Sequence, residues 1–213
     1  SYLFADSFKE TYVVELGKID IGKLFFEIKM QENNYEISIT LKNKGLLSNL
    51  YRFEGRYKAS GFIKNNSIIP SKYSQFWSTK RKERIVEAYF ENNMLVDLKL
   101  LPTEKESPRI KYIGIKNHFD PLSSFLNILI GIENSKTIDG RRVYSMVVAE
   151  KNNKKGFETK KILIEEYVNI WTDHKRNDLE YIEIKQIYGK KEIAMPISMG
   201  IKFKGLLYKL TKI

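Results

Sequence analysis

Leu24-Phe25-Phe26-Glu27-Ile28-Lys29-Met30-Gln31, then Glu32-Asn33-Asn34, then Tyr35-Glu36-Ile37-Ser38-Ile39-Thr40-Leu41-Lys42: this stretch decides the fold. In an extended chain successive side chains point to opposite faces. Leu24, Phe26, Ile28 and Met30 therefore share one face, with Phe25, Glu27, Lys29 and Gln31 on the other. The second run repeats the division, with Tyr35, Ile37, Ile39 and Leu41 against Glu36, Ser38, Thr40 and Lys42. The tripeptide between them is rich in turn-forming asparagine. Two alternating runs about a short turn predict an antiparallel hairpin with one buried and one wet face.

Outward from this hairpin the same period continues through 51–64, 68–79, 83–91 and 94–101. It resumes through 110–116, 141–150, 157–171, 179–188 and 197–210. Asn65-Asn66, Asn92-Asn93 and Asp139-Gly140 punctuate the runs, as residues that tolerate left-handed backbone do at tight turns. In the last run Met199, Ile201 and Phe203 share a face, whereas Leu206, Tyr208 and Leu210 take the opposite parity. A β-bulge at Gly205 would restore one continuous inner face. Strand after strand at near-constant spacing predicts a mainly β fold. Its form is a large antiparallel meander closing into a barrel or a strongly curved sheet. The whole chain, 1–213, reads as a single domain.

One segment departs from period two. Over 119–132, Leu122, Phe125, Leu126, Leu129 and Ile130 recur at helical spacing. Asp120 suits the N-cap, Pro121 the first helical position, and Gly131 the end. The helix is expected to pack on the sheet or plug its apolar concavity.

Composition bounds the function. The chain has 213 residues, 42% of them hydrophobic and 13% aromatic, enough for a full core and unlike a disordered chain. Its 37 Lys+Arg against 26 Asp+Glu give a formal charge of +11. Two sources fit that excess: attraction for an anionic partner, or compositional drift in a chain rich in Lys, Ile and Asn. The absence of cysteine removes disulfides, thiolate catalysis and sulfur-based zinc sites. No run approaches the roughly 20 apolar residues of a membrane-spanning helix. The chain starts at Ser1, which fits a removed signal peptide and equally a truncated start.

Candidate catalytic groups are few. His118 lies two residues before Asp120, and His174 follows Asp173; a His–carboxylate pair can orient a general base. Ser123 and Ser124 are near the first pair, yet no Gly-x-Ser-x-Gly elbow is present. Neither a calcium-loop pattern nor a glycine-rich phosphate loop occurs, and no cofactor is expected. Lys80-Arg81-Lys82 and Arg84 lie close to Phe76 and Trp77, as at single-strand nucleic-acid surfaces. Strand parity would split that cluster between faces, so nucleic acid is disfavoured. A curved sheet of many strands can instead enclose an apolar ligand, or be filled by its own side chains.

Five blocks together resemble domain-of-unknown-function family 3108, a group of bacterial exported proteins. They are Tyr12–Leu24 with Gly22, Gly45–Tyr57 extended by Ser60-Gly61, Pro70-Ser71-Lys72-Tyr73, His118–Phe125 with its Asp-Pro-Leu-Ser core, and Asp139–Tyr144. Met195-Pro196-Ile197 and Gly205–Leu210 fit more loosely, and 151–195 departs from the pattern. The resemblance implies a periplasmic or outer-envelope protein with a barrel-like antiparallel fold, and brings no reaction, cofactor or functional residue with it.

On this basis the expected protein is a non-enzymatic cell-envelope protein that binds or scaffolds an amphipathic component, a lipid or a cell-surface glycan. Phe125 and Leu129 would hold its apolar part, and Arg52, Arg56, Arg141 and Arg142 its phosphate or acidic sugar. The alternative is a structural or assembly module that recognises envelope protein partners through sheet edges or loops.

Overall fold

The alternation read from 24–42 is realised in the computed structural model, which describes residues 7–43, 52–65, 67–171, 178–188 and 193–213. β2 (Ile19–Gln31) and β3 (Asn34–Asn43) form the hairpin. Leu24 stands opposite Leu41, Phe26 opposite Ile39, Ile28 opposite Ile37 and Met30 opposite Tyr35. Cross-strand pairs of this kind stabilise a sheet face, and here they line the inside.

Before and after the hairpin come β1 (Ser7–Leu16), β4 (Phe53–Lys64), β5 (Ser67–Thr79), β6 (Glu83–Glu91) and β7 (Met94–Leu101). Beyond the helix follow β8 (Asn134–Ile138), β9 (Arg142–Lys154) and β10 (Phe157–Asn169). β11 (Leu179–Ile187), β12 (Ser198–Phe203) and β13 (Leu206–Lys212) complete the chain. All belong to one thirteen-stranded sheet in the order β7-β6-β5-β4-β3-β2-β1-β13-β12-β11-β10-β9-β8. Neighbours are consecutive in sequence except for β1 and β13, which pair antiparallel. The first and last strands therefore sit side by side in the middle of the sheet, and its two edges are joined by the connection 102–133.

That connection covers the seam. Leu95 N donates to Ile115 O at 3.1 Å, and Gly114 N donates to Leu95 O at 2.8 Å, so the segment first lies along β7. It then crosses to β8, where Phe119 N donates to Lys136 O and Ile138 N donates to Phe119 O, both at 2.8 Å. The sheet is strongly curved but its ladder does not close; two isolated bridges, Met94–Lys116 and Phe119–Thr137, span the gap.

Two sequence expectations are corrected here. Residues 110–116 form no strand: Ile110, Tyr112 and Ile115 pack on the core as part of the seam cover, with Ile115 N turning back to Tyr112 O at 3.1 Å. Gly205 is not a bulge. Lys204 (φ 51°) and Gly205 (φ 75°) make a two-residue hairpin turn. It places Phe203 opposite Leu206, Ile201 opposite Tyr208 and Met199 opposite Leu210, and this pairing accounts for the parity switch. The short strand β8 was not legible ahead of Asp139-Gly140. Ser1, Gly45–Tyr51, Asn66, Asp173 and His174 lie outside the described residues.

The helix α1 spans Pro121–Leu129, shorter than 119–132, with Asp120 as its N-cap and Pro121 in its first turn. Ile130 N still bonds Leu126 O and Ile132 N bonds Asn127 O as the chain leaves through Gly131 at φ 101°. Every residue from Leu122 to Leu129 is buried. A surface helix would keep one face wet; this one occupies the concavity of the sheet, as a plug, with Phe125 6.2 Å from the ring of Phe26.

Candidate functional site

A helix buried all round must find a partner for each of its polar side chains, because an unsatisfied polar group in the interior is costly. Asp120 Oδ1 accepts from Leu122 N at 3.0 Å and Ser123 N at 2.9 Å, closing the orphan donors of the first turn. Its Oδ2 accepts from Ser123 Oγ at 2.5 Å, and Ser123 Oγ lies 2.7 Å from the Tyr35 hydroxyl of β3. Since the Ser123 proton goes to the carboxylate, Tyr35 is the donor in the second bond. One turn on, Ser124 Oγ accepts from Thr137 Oγ1 at 2.7 Å and Ser135 Oγ at 3.1 Å, while Asn127 Nδ2 donates to Ser135 Oγ at 3.2 Å. At the far end Lys160 Nζ donates to Ile128 O at 3.3 Å and pairs with Glu158 at 2.9 Å. A cation from β10 thus meets the negative end of the helix dipole.

Burial pushes the Asp120 carboxyl up to about 6, with its hydrogen bonds from Ser123 and Leu122 opposing the shift. Burial also raises Tyr35, Tyr73 and Tyr144, and the nearby Asp120 charge adds to each. The Asp120–Ser123–Tyr35 chain has the residue types of a nucleophile and its activator. Asp120 and Ser123 have no solvent exposure at all, however, so the chain anchors the plug to the wall. His118 is not its partner. The Nδ1 of His118 lies 2.8 Å from Lys116 O, and burial lowers the imidazole.

The six residues expected to bind a ligand fall in three settings. Phe125 and Leu129 are buried in the core, at 8% and 7% exposure, and face neighbouring side chains. Arg141 and Arg142 stand at the β8–β9 turn, where Arg141 Nε pairs with Glu104 at 2.8 Å and Arg142 with Asp178 at 3.2 Å and Asp139 at 3.7 Å. Asp139 Oδ1 accepts from both arginine backbone N–H groups, and Trp171 Nε1 donates to Gly140 O at 3.1 Å. These contacts pin a turn that reaches the inner face of the opposite wall: a methyl at Gly140 would sit 2.7 Å from Val86. Arg52 is exposed just before β4. Arg56 lies on the outer face of that strand, 4.4 Å above the Phe76 ring and 3.5 Å from Glu54.

The basic cluster takes a form that strand parity does not predict. Lys80, Arg81 and Lys82 are the turn between β5 and β6, not part of a strand, so parity does not divide them. Thr79 organises the turn: its Oγ1 accepts from Arg81 N at 3.3 Å and Lys82 N at 3.2 Å. An open cleft of about 600 Å³ lies beside it, lined by Arg81, Lys82, Glu83 and Arg84 and by Ile85, Leu101 and Pro102. A second open cleft, of about 370 Å³, lies over Tyr35, Gly61 and Phe62 between charged outer-face residues such as Lys29 and Glu36. Among the described residues no group of three or more His, Asp or Glu side chains gathers as metal ligands. No helix among them is long and apolar enough to cross a membrane.

A curved antiparallel sheet with a buried helical plug defines the protein as β-barrel-like. The chain belongs to the family described as protein of unknown function DUF3108, whose sequence profile matches residues 11–182. It is also similar in fold to a solved structure from Brucella abortus, described as a beta-barrel-like protein of domain of unknown function DUF1849. That likeness has a TM-score of 0.53 at 11% identity, and covers 99% of this chain and 96% of the other. A search of curated proteins finds no match.

Proposed function

We propose that this protein is a non-enzymatic component of the bacterial cell envelope, in the periplasm or at the outer membrane, that binds or scaffolds an amphipathic partner, a lipid or a glycan. One observation carries the reading. The concavity that would hold a ligand in an open barrel is occupied by α1, whereas a cationic turn borders apolar side chains in an open cleft outside. The partner is therefore met on the surface. The reading as a binder and not a catalyst rests on the polar side chains around α1, which are engaged with one another and buried. The envelope location rests on the resemblance of the exported family.

The test is native mass spectrometry of protein isolated from its own envelope, followed by organic extraction. A stoichiometric lipid or glycolipid supports the reading. A clean apo mass that does not shift on adding envelope lipid or glycan overturns it, and leaves recognition of protein partners, which a plugged sheet serves equally well.

A further inference from the structure

Resting on that reading, we propose that the outer face of β4–β7, at the end carrying the 80–82 turn, is a peripheral docking surface for an anionic lipid bilayer. The register assembles it. Arg56 stands opposite Phe76, Phe76 opposite Ile85, and Ile85 opposite Leu101, so four side chains from four strands form one row across the outer face. Leu101, at the edge of the sheet, is 55% exposed, and Pro102 extends the apolar strip beyond it. A lone exposed leucine needs no explanation. A strip of three apolar side chains beside a basic turn is a different matter.

Charge identifies the occupant. Several cations elsewhere on the sheet are matched, as in Lys9–Glu27, Lys29–Glu36, Lys151–Glu158 and Lys212–Glu10. Arg81 and Lys82 are exposed and have no ion-pair partner among the described residues. Glu83 is the one carboxylate among the residues that line the cleft. An anionic bilayer offers what this surface complements: a sheet of phosphate charge for the turn and an acyl boundary for Leu101, Pro102 and Ile85. Long basic side chains also reach upward to headgroups while their stems lie along apolar surface.

The same geometry argues against nucleic acid. Base stacking needs free aromatic faces. The Phe76 face carries the Arg56 guanidinium, and Trp77, of opposite parity, lies edge-on to Phe53 at 5.8 Å. A small soluble anion is disfavoured too, because the cleft is open and its floor is aliphatic.

The experiment is co-sedimentation of the full chain with vesicles of mixed phosphatidylglycerol and phosphatidylcholine, against vesicles of phosphatidylcholine alone. Binding is expected only to the mixed vesicles and to weaken as salt rises. R81E/K82E and, separately, L101D are each expected to lower the partition coefficient by about tenfold or more. K154E/K155E makes the same change in net charge at the exposed β9–β10 turn and is expected to lower it less than threefold, an order-of-magnitude expectation for remote surface charge. All three variants alter exposed residues, and unchanged melting confirms folding.

If the two lysine reversals weaken binding as much as R81E/K82E, net charge acts and the docking surface is wrong. If the wild type binds but R81E/K82E and L101D bind equally well, the site is wrong while the proposed function stands. Saturable binding of glycerophosphate alone, undiminished in L101D, replaces the bilayer by a soluble anion and overturns the inference. Failure to bind either vesicle also overturns it; the proposed function falls with it only if the native mass measurement shows no bound amphiphile.

Discussion

Tyr35 and Gly61 stand opposite each other across the β3–β4 ladder, and the tyrosine ring fills the space a side chain at 61 would need. A methyl there would lie 2.8 Å from both Tyr35 Cε1 and its hydroxyl oxygen, and closer still to Ile69 O, at the point where the β4–β5 register shifts. The tyrosine could swing away only by releasing Ser123, and the backbone carbonyl cannot move without breaking its ladder. Gly61→Ala is therefore expected to destabilise by about 3 kcal/mol. Gly200→Ala, whose methyl meets nothing nearer than 3.6 Å, is expected to change stability by less than about 0.5 kcal/mol. Urea unfolding of both variants checks this. Equal midpoints would show that the Tyr35–Gly61 fit is not limiting.

The Asp120 carboxyl predicts a pH dependence of definite sign. Its ordinary value is 3.8, and burial raises it to about 6 in the folded protein. Well below pH 4 the group is protonated in both states and costs nothing. Between about pH 4 and pH 6 the unfolded chain ionises it freely while the folded protein resists, so this contribution to stability is lost as pH rises. The gap between the two values corresponds to about 3 kcal/mol. Glu27 and Glu158 are lowered and act in the opposite direction, so the measurement is a difference. Asp120→Asn keeps an N-cap acceptor but cannot ionise. Its stability relative to wild type is expected to rise from pH 4 to pH 6 and then level off, read from denaturant midpoints across that range.

Much of this architecture is legible from residue types alone, because period-two burial is a local property. The pairing of Phe26 with Ile39 follows from alternation and a turn, and Asp120-Pro121 announces a helix start whatever packs around it. What is not legible depends on contacts between distant segments. Ile110, Tyr112 and Ile115 alternate like a strand, but the β7 edge needs a cover, and their apolar side chains serve that. Met199 and Leu210 change parity for a reason, a two-residue turn at 204–205, that a bulge would mimic equally well. Among the expected ligand residues, Arg141 and Arg142 stand out in the sequence by charge alone. Their carboxylate partners Glu104 and Asp178 lie 37 and 36 residues away, and no local pattern reveals them. The Tyr35–Ser123 bond spans 88 residues and was equally out of reach.

The buried Lys160 predicts a coupled pair. Its ammonium is held between Ile128 O at 3.3 Å and Glu158 at 2.9 Å, with the side chain 6% exposed. Lys160→Met leaves the helix carbonyl without its donor and Glu158 with Lys151 alone, 3.4 Å away, at an expected cost of about 2 kcal/mol. Adding Glu158→Gln removes the carboxylate that has lost its closer cation, so the double variant is expected to recover part of the loss. A double-mutant cycle by thermal unfolding measures the coupling. Simple additivity would mean that Lys160 contributes through packing of its stem.

Phe125 and Leu101 separate the inside of this protein from its proposed docking surface. Phe125 is 8% exposed and packs on Phe26, whereas Leu101 is 55% exposed at the sheet edge. Truncating a buried phenylalanine leaves a cavity, so Phe125→Ala is expected to cost about 3–5 kcal/mol. Leu101→Asp removes little burial and is expected to cost less than about 0.5 kcal/mol. Vesicle binding is expected to invert that order: below its melting temperature the Phe125 variant binds anionic vesicles as the wild type does, and the Leu101 variant loses its hold. Measuring both properties on both proteins tests the division directly. If Phe125→Ala abolishes lipid binding in a chain that is still folded by circular dichroism, the ligand enters the concavity, α1 must leave it, and the plug is a lid.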